Sequence, residues 1–121
     1  MSWIFDNDKP IYIQFIEQLK IAIACGEYKP GEKLPSVRDL AIQIKANPNT
    51  VQRALTELET TNIIYTQRTN GKFVTEDLDL IKSLRQQLAK ENLSVFLTSM
   101  YKLGLTKDEI VKLIENERND I

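Results

Sequence analysis

A chain of 121 residues with 42% hydrophobic and 27% charged side chains has the size and make-up of one folded domain with a short appendage. A single cysteine, Cys25, and no histidine exclude an intrachain disulfide, a Cys/His zinc set, a Ser-His-Asp triad and a Cys–His pair, so neither a cofactor nor enzyme chemistry is expected. No apolar run approaches the roughly 18 residues of a membrane span, and Met1 to Asp6 lack the basic start and apolar core of a secretory signal, so the expected location is cytoplasmic with no membrane partner.

The first predicted helix runs from about Ile11 to Cys25, with Pro10 at its first position and Gly26 as its stop. Ile11, Phe15, Leu19 and Ala22/Ile23 form its apolar stripe, widened by Ile16. Cys25 reads as a small buried hydrophobe. Residues 27–33 form a turn around Pro30-Gly31. Ser36 opens a second helix as its cap, with Asp39 placed to reach back. Val37, Leu40, Ala41 and Ile44 face inward, and Lys45-Ala46 closes the helix. Asn47 and Pro48 restart a third as N-cap and first residue, with Val51, Ala54, Leu55 and Leu58 inward. A break of about three residues between two such helices is helix-turn-helix spacing, here over residues 34–55.

Ile63 to Thr66 and Lys72 to Thr75 are rich in β-branched and aromatic residues and predict two strands. Asn70-Gly71 is a strong turn dipeptide between them, which makes a hairpin, or wing. From Asp77 to about Leu103 the pattern is helical again, with a kink expected at Lys90-Glu91-Asn92 and a stop at Gly104. Thr106 to Glu109 predicts a capping box for a last helix carrying Ile110, Val111, Leu113 and Ile114. The expected fold is therefore mainly α with a small β-hairpin: a winged helix-turn-helix over residues 1–75, then a two-helix region over 76–121. A long helix with one apolar stripe needs a partner, so residues 77–121 are expected to form a homodimer interface. Trp3 and Phe5 are unusual in an N-terminal tail and are expected to pack on the second protomer or on the C-terminal region.

Pro10-Ile11-Tyr12-Ile13-Gln14, Gly26, Pro30-Gly31, Leu34 through Ala41, Thr50-Val51, Ala54-Leu55 and Gly71 through Val74 occur in that order over about 65 residues. Together they resemble the N-terminal domain of the GntR family of winged-helix regulators. The opening motif and a tail of only about 46 residues resemble its YtrA subgroup. The resemblance implies a sequence-specific regulator, a repressor in the first reading, acting on double-stranded DNA. It also implies a palindromic operator, an operon that often encodes a transporter, and a small-molecule effector of unknown identity. Two positions depart from the family pattern. Asn62 stands where a glycine is usual, and asparagine tolerates the same left-handed backbone. Thr69 stands where the wing usually has its first glycine, which puts close approach of the wing tip to DNA in question.

A recognition helix needs short polar side chains at an N-terminus aimed into the groove, and long cations at its flanks. Asn47, Asn49, Thr50 and Gln52 supply the first kind, since Asn and Gln pair bidentately with adenine. Asn47 also serves as a cap, and the two roles are compatible. Arg38 lies where the family places a DNA-contacting arginine, the alternative being an internal salt bridge. Arg53 suits a phosphate. Arg68, Thr69 and Lys72 would serve the wing, and Ser36 marks a helix N-terminus suited to an anion. Phe96, Met100 and Tyr101 line an effector pocket or belong to a core. Tyr12, Phe15, Leu40, Leu55, Leu58 and Phe73 are expected core residues.

Charge itself is a poor guide to the partner. Residues 1–75 carry 9 Lys/Arg and 8 Asp/Glu, the remainder 7 and 9. The competing reading is a winged helix used as a protein-interaction module without specific DNA binding.

Overall fold

The structure, a computed structural model, describes residues 1–117. Among them the chain runs α1 (Ile11–Ala24), α2 (Val37–Ile44), α3 (Pro48–Glu59), β1 (Ile64–Gln67), β2 (Gly71–Val74), α4 (Leu78–Lys102) and α5 (Lys107–Asn116). This is the mainly helical chain with one small hairpin that the sequence predicts. It forms two compact units, the first ending at Gln86 and the second beginning at Gln87, within α4.

The core of the first unit collects one face from each of its helices. Phe15, Leu19, Ala22 and Ile23 of α1 meet Leu40 and Ile44 of α2 and Val51, Ala54, Leu55 and Leu58 of α3, all buried. Leu34, Ile63, Ile64, Val74, Ile81 and Leu84 complete it. Burying a side chain of this size contributes about 1.5–3 kcal/mol before the entropy of ordering it is subtracted. The first turns of α4 belong here as well, because Arg85 Nε donates to the Ala24 carbonyl at the end of α1 at 2.9 Å.

Helix ends follow local chemistry. Ser36 Oγ accepts from Asp39 N at 3.0 Å, and Asn47 Oδ1 accepts from Asn49 N at 2.8 Å with Pro48 first in α3. Only half of the box at Ser36 forms among the described hydrogen bonds, since the short Asp39 carboxylate makes no return bond. Pro10 is the N-cap of α1 rather than its first residue. Its ψ of 130° is extended while its carbonyl already accepts from Gln14 N. Thr106 and Glu109 form the full capping box of α5. Lys45, closing α2, takes the left-handed conformation at φ 55°, and so does Asn62 at φ 65°.

The hairpin lies one residue from its expected place, with Ile64 opposite Val74 and Gln67 opposite Gly71. Thr75 N still reaches the Ile63 carbonyl at 2.9 Å. Its turn is centred on Arg68-Thr69 and closed by Asn70 N on Gln67 O at 3.0 Å, so Asn70-Gly71 forms the exit of the turn and not its centre. Residues 31–34 run beside β2 as a third edge. Gly31 N donates to Val74 O, Val74 N to Glu32 O and Leu34 N to Lys72 O, at 2.8–3.0 Å.

Three further expectations change. Cys25 is exposed, because it lies two residues beyond Ile23 and two residues turn a helix by roughly 200°. Tyr12 and Phe73 are half-buried, Phe73 being stacked on Tyr65 at the sheet surface. Trp3 packs within its own unit, on Phe15 and Phe5 with centroids 5.2 and 6.2 Å apart, and donates to Gln43 Oε1. Helix α4 is continuous through Lys90-Glu91-Asn92, since none of the three removes a backbone donor, and Gln87 donates to Glu91 across one turn. Among the described residues, no helix is long and apolar enough to cross a membrane.

In the second unit, Ile110 of α5 is buried. Phe96, Met100, Leu113, Ile114 and Glu117 line an open hollow of about 400 Å³. Leu93, Val95, Phe96, Leu103, Leu113 and Ile114 remain 40–76% exposed.

Candidate nucleic-acid interface

Helix α3 buries one face on α1 and α2, which turns the other outward. Asn49, Gln52, Arg53 and Thr56 occupy that outer face at the spacing i, i+3, i+4, i+7, and all four are exposed. Thr50, beside them, is half-buried. The first two turns, Pro48 to Leu55, contain no carboxylate, and acids appear only at Glu57 and Glu59. The positive end of the helix dipole and its free amides thus lie at the uncharged, polar end. Asn47 commits its carbonyl oxygen to the cap and keeps its amide N–H groups free. Gln52 donates to Thr56 Oγ1 at 3.2 Å, which keeps its carbonyl oxygen available. Thr56 belongs to this surface although its position deep in the helix did not single it out.

Two arginines flank the helix start. Arg38 is exposed in the first turn of α2 and makes no ion pair among the described residues, so the internal salt bridge considered for it does not form. The Arg53 guanidinium lies 4.8 Å from the ring centroid of Tyr12. Such cation–π contact holds a long side chain in place while leaving its N–H fork usable. Tyr12, an expected core residue, is half-buried and offers one ring face to this arginine.

The wing is more constrained than its sequence suggests. Arg68 and Thr69 stand exposed at the turn. Lys72 does not: its ammonium pairs with Glu59 of α3 and donates to Thr66 Oγ1, whose hydroxyl in turn donates to Glu59. Burial alone would raise the Glu59 pKa. The hydrogen bonds from Lys72 and Thr66 and the Lys72 charge outweigh it and hold the carboxyl below its usual range. Glu59, Thr66 and Lys72 therefore tie the end of α3 to both strands. Glu59 carries no local signal of this, because the contact spans 13 residues and a strand pairing.

Between the start of α2 and the wing runs an open groove of about 330 Å³ bordered by Ser36, Arg68, Gly71, Lys72 and Lys33. The Ser36 hydroxyl oxygen is engaged by its cap. The expected effector residues Phe96 and Met100 line the hollow of the second unit, whereas Tyr101 does not and is half-exposed.

A capped helix-turn-helix whose second helix turns a polar face outward, followed at once by a two-stranded hairpin, defines a winged-helix DNA-binding protein. Residues 11–74 match the profile of the bacterial regulatory proteins of the gntR family. The chain belongs to the GntR family, and it is a helix-turn-helix transcriptional regulator rather than an enzyme. It is 42% identical over 111 residues to the uncharacterized HTH-type transcriptional regulator YhcF of Bacillus subtilis, spanning 92% of each chain. It is 38% identical over 117 residues to the HTH-type transcriptional repressor YtrA of the same species, spanning 95% of this chain and 89% of that one, in keeping with the YtrA subgroup. A GntR family transcriptional regulator from Listeria monocytogenes has the same fold at a TM-score of 0.86 and 43% identity, covering 94% of this chain and all of that one. The DNA-binding domain of AraR in complex with operator ORR3 matches 55% of this chain and 80% of its own length, at a TM-score of 0.52 and 27% identity.

Proposed function

We propose that the protein is a homodimeric repressor that reads a palindromic operator with the outer face of α3. The observation that carries this reading is the carboxylate-free start of α3, where exposed Asn49, Gln52 and Arg53 sit beside Arg38. Asn47, Asn49, Thr50 and Gln52 meet base edges, Arg38 and Arg53 meet phosphates at the groove margin, and Arg68 and Thr69 meet the backbone from the wing. Ser36 lies where a phosphate approaches the α2 start. Lys72 acts indirectly, by fixing the wing to α3. Residues 1–75 form the DNA-binding domain and residues 76–121 the dimerisation and effector region, the last four of them lying outside the described residues. The exposed apolar side chains of the second unit support a dimer, because a surface of this kind is stabilised by removal from water. Two recognition helices then enter successive major grooves roughly 34 Å apart. A small-molecule effector would bind in the hollow at Phe96 and Met100. Resemblance to the YtrA subgroup extends the reading to a nearby transporter operon.

Titration of the DNA upstream of its own gene, followed by fluorescence anisotropy, tests the proposal. Specific binding should weaken steeply as salt rises. Arg38→Ala should weaken binding about uniformly across sequences and lower the salt slope by about 1, while leaving the oligomeric state intact. No binding at low salt would sink the repressor reading and favour the protein-interaction module.

A further inference from the structure

We propose that Lys33 is a DNA-phosphate contact of this regulator, seated in the groove between the start of α2 and the wing; the proposal rests on the DNA-binding reading above. Its backbone is held on both sides, by Val74 N donating to Glu32 O at 2.9 Å and Leu34 N donating to Lys72 O at 2.8 Å. Lys33 itself is bridged to Phe73 of β2. Side chains alternate along such an edge. Leu34 is buried at 2% exposure, so Lys33 faces the opposite way, toward solvent.

The stem of Lys33 lies on the wing. A Cβ at position 71 would stand 3.3 Å from Lys33 Cε. Gly71 is favoured by its φ of +98°, and its lack of a side chain leaves room for the lysine that crosses it. Lys33 thus lines the same groove as Gly71 and Arg68.

Charge then selects the ligand. None of the residues lining the groove carries a carboxylate. Lys72, the wing lysine that sequence alone favours, is already neutralised by Glu59. Lys33 makes no ion pair among the described residues. An ammonium and a guanidinium lining one groove without a carboxylate suit a backbone phosphodiester better than a base edge.

The test is the salt dependence of operator affinity for the full chain and for Lys33→Gln, Lys33→Arg and Lys20→Gln. Loss of one phosphate contact lowers the slope of log K against log salt by about 0.9, which corresponds to about an eight-fold loss of affinity at 0.1 M salt. Lys33→Gln is expected to show that change, Lys33→Arg to keep the wild-type slope, and Lys20→Gln, whose ammonium lies on α1 near Glu17, to keep it too. Thermal denaturation of each variant shows that the fold is unchanged. A wild-type slope in Lys33→Gln overturns the proposal while leaving the DNA-binding reading standing. Absence of wild-type binding overturns that reading and this one with it.

Discussion

Replacing Glu59 with Gln removes the carboxylate that holds Lys72 and Thr66, and the structure sets how large the effect should be. The Lys72 and Glu59 side chains are 16% and 30% exposed. Fully exposed pairs couple by about 0.2–1 kcal/mol, and breaking a buried pair costs about 3–5 kcal/mol. This half-buried pair, with a hydroxyl bonded to both partners, belongs between these limits, at about 1–2 kcal/mol. A double-mutant cycle of Glu59→Gln and Lys72→Met, read by chemical denaturation at one protein concentration, isolates that term. The pH dependence has a definite sign. The folded-state pKa of Glu59 is lowered, so the stabilisation is complete above the ordinary carboxylate value of 4.5 and is lost as pH falls through the lower folded value. Coupling should thus hold from pH 7 to 4.5 and fade below. Coupling under about 0.5 kcal/mol at pH 7, the range of independent sites, would refute the claim that this contact joins α3 to the wing.

Three further outcomes follow from the same geometry. Tyr12→Leu removes the ring under Arg53, and with exposed cation–π contacts contributing about 0.5–1 kcal/mol it should weaken operator binding by about two- to five-fold in anisotropy titrations, while Tyr12→Phe should not. Lys45→Gly relieves a left-handed backbone costing about 1–2 kcal/mol and loses about 0.5–1 kcal/mol to the entropy of glycine, so denaturation should show a net gain of about 0.5–1 kcal/mol. Leu113→Glu places a charge among the exposed apolar side chains of the second unit, and if the proposed dimer forms through them sedimentation should show a shift toward monomer; an unchanged mass would count against that interface.

Features governed by neighbours in the chain were legible from residue types. The caps at Ser36, Asn47-Pro48 and Thr106 form as expected, because a hydroxyl or amide reaches amides only two or three residues away. Asn62 takes the left-handed backbone that a family glycine would take. What escaped depends on contacts between distant segments. The strands reach one residue further toward the turn than residue types suggest, because pairing between them extends to Gln67 opposite Gly71. Lys72 looked like a free wing cation until strand pairing brought it to Glu59. Lys33 looked like a loop residue because nothing local reveals that residues 31–34 run beside β2. Trp3 found its partners 12 residues away at Phe15 and 40 away at Gln43.

A chain with a net charge of −1 is an unpromising DNA ligand by composition, and the arrangement of its charges resolves this. Electrostatic attraction to a phosphate within a Debye length, roughly 8–10 Å, depends on local charge far more than on the total. Glu59 and Lys72 neutralise each other, so the pair adds no net charge beside the wing groove. Glu57 lies one turn beyond Arg53 on the same side of α3, away from the α3 start, and makes no ion pair with it among the described residues. Lys33, Arg38, Arg53 and Arg68 remain exposed around the winged helix, two of them against the groove and one steadied by an aromatic face. Acids are instead plentiful after residue 75, where 9 Asp/Glu face 7 Lys/Arg. On the proposed reading, placement rather than total charge lets the neutral amides of α3 discriminate between bases, while a few cations set the register on the backbone.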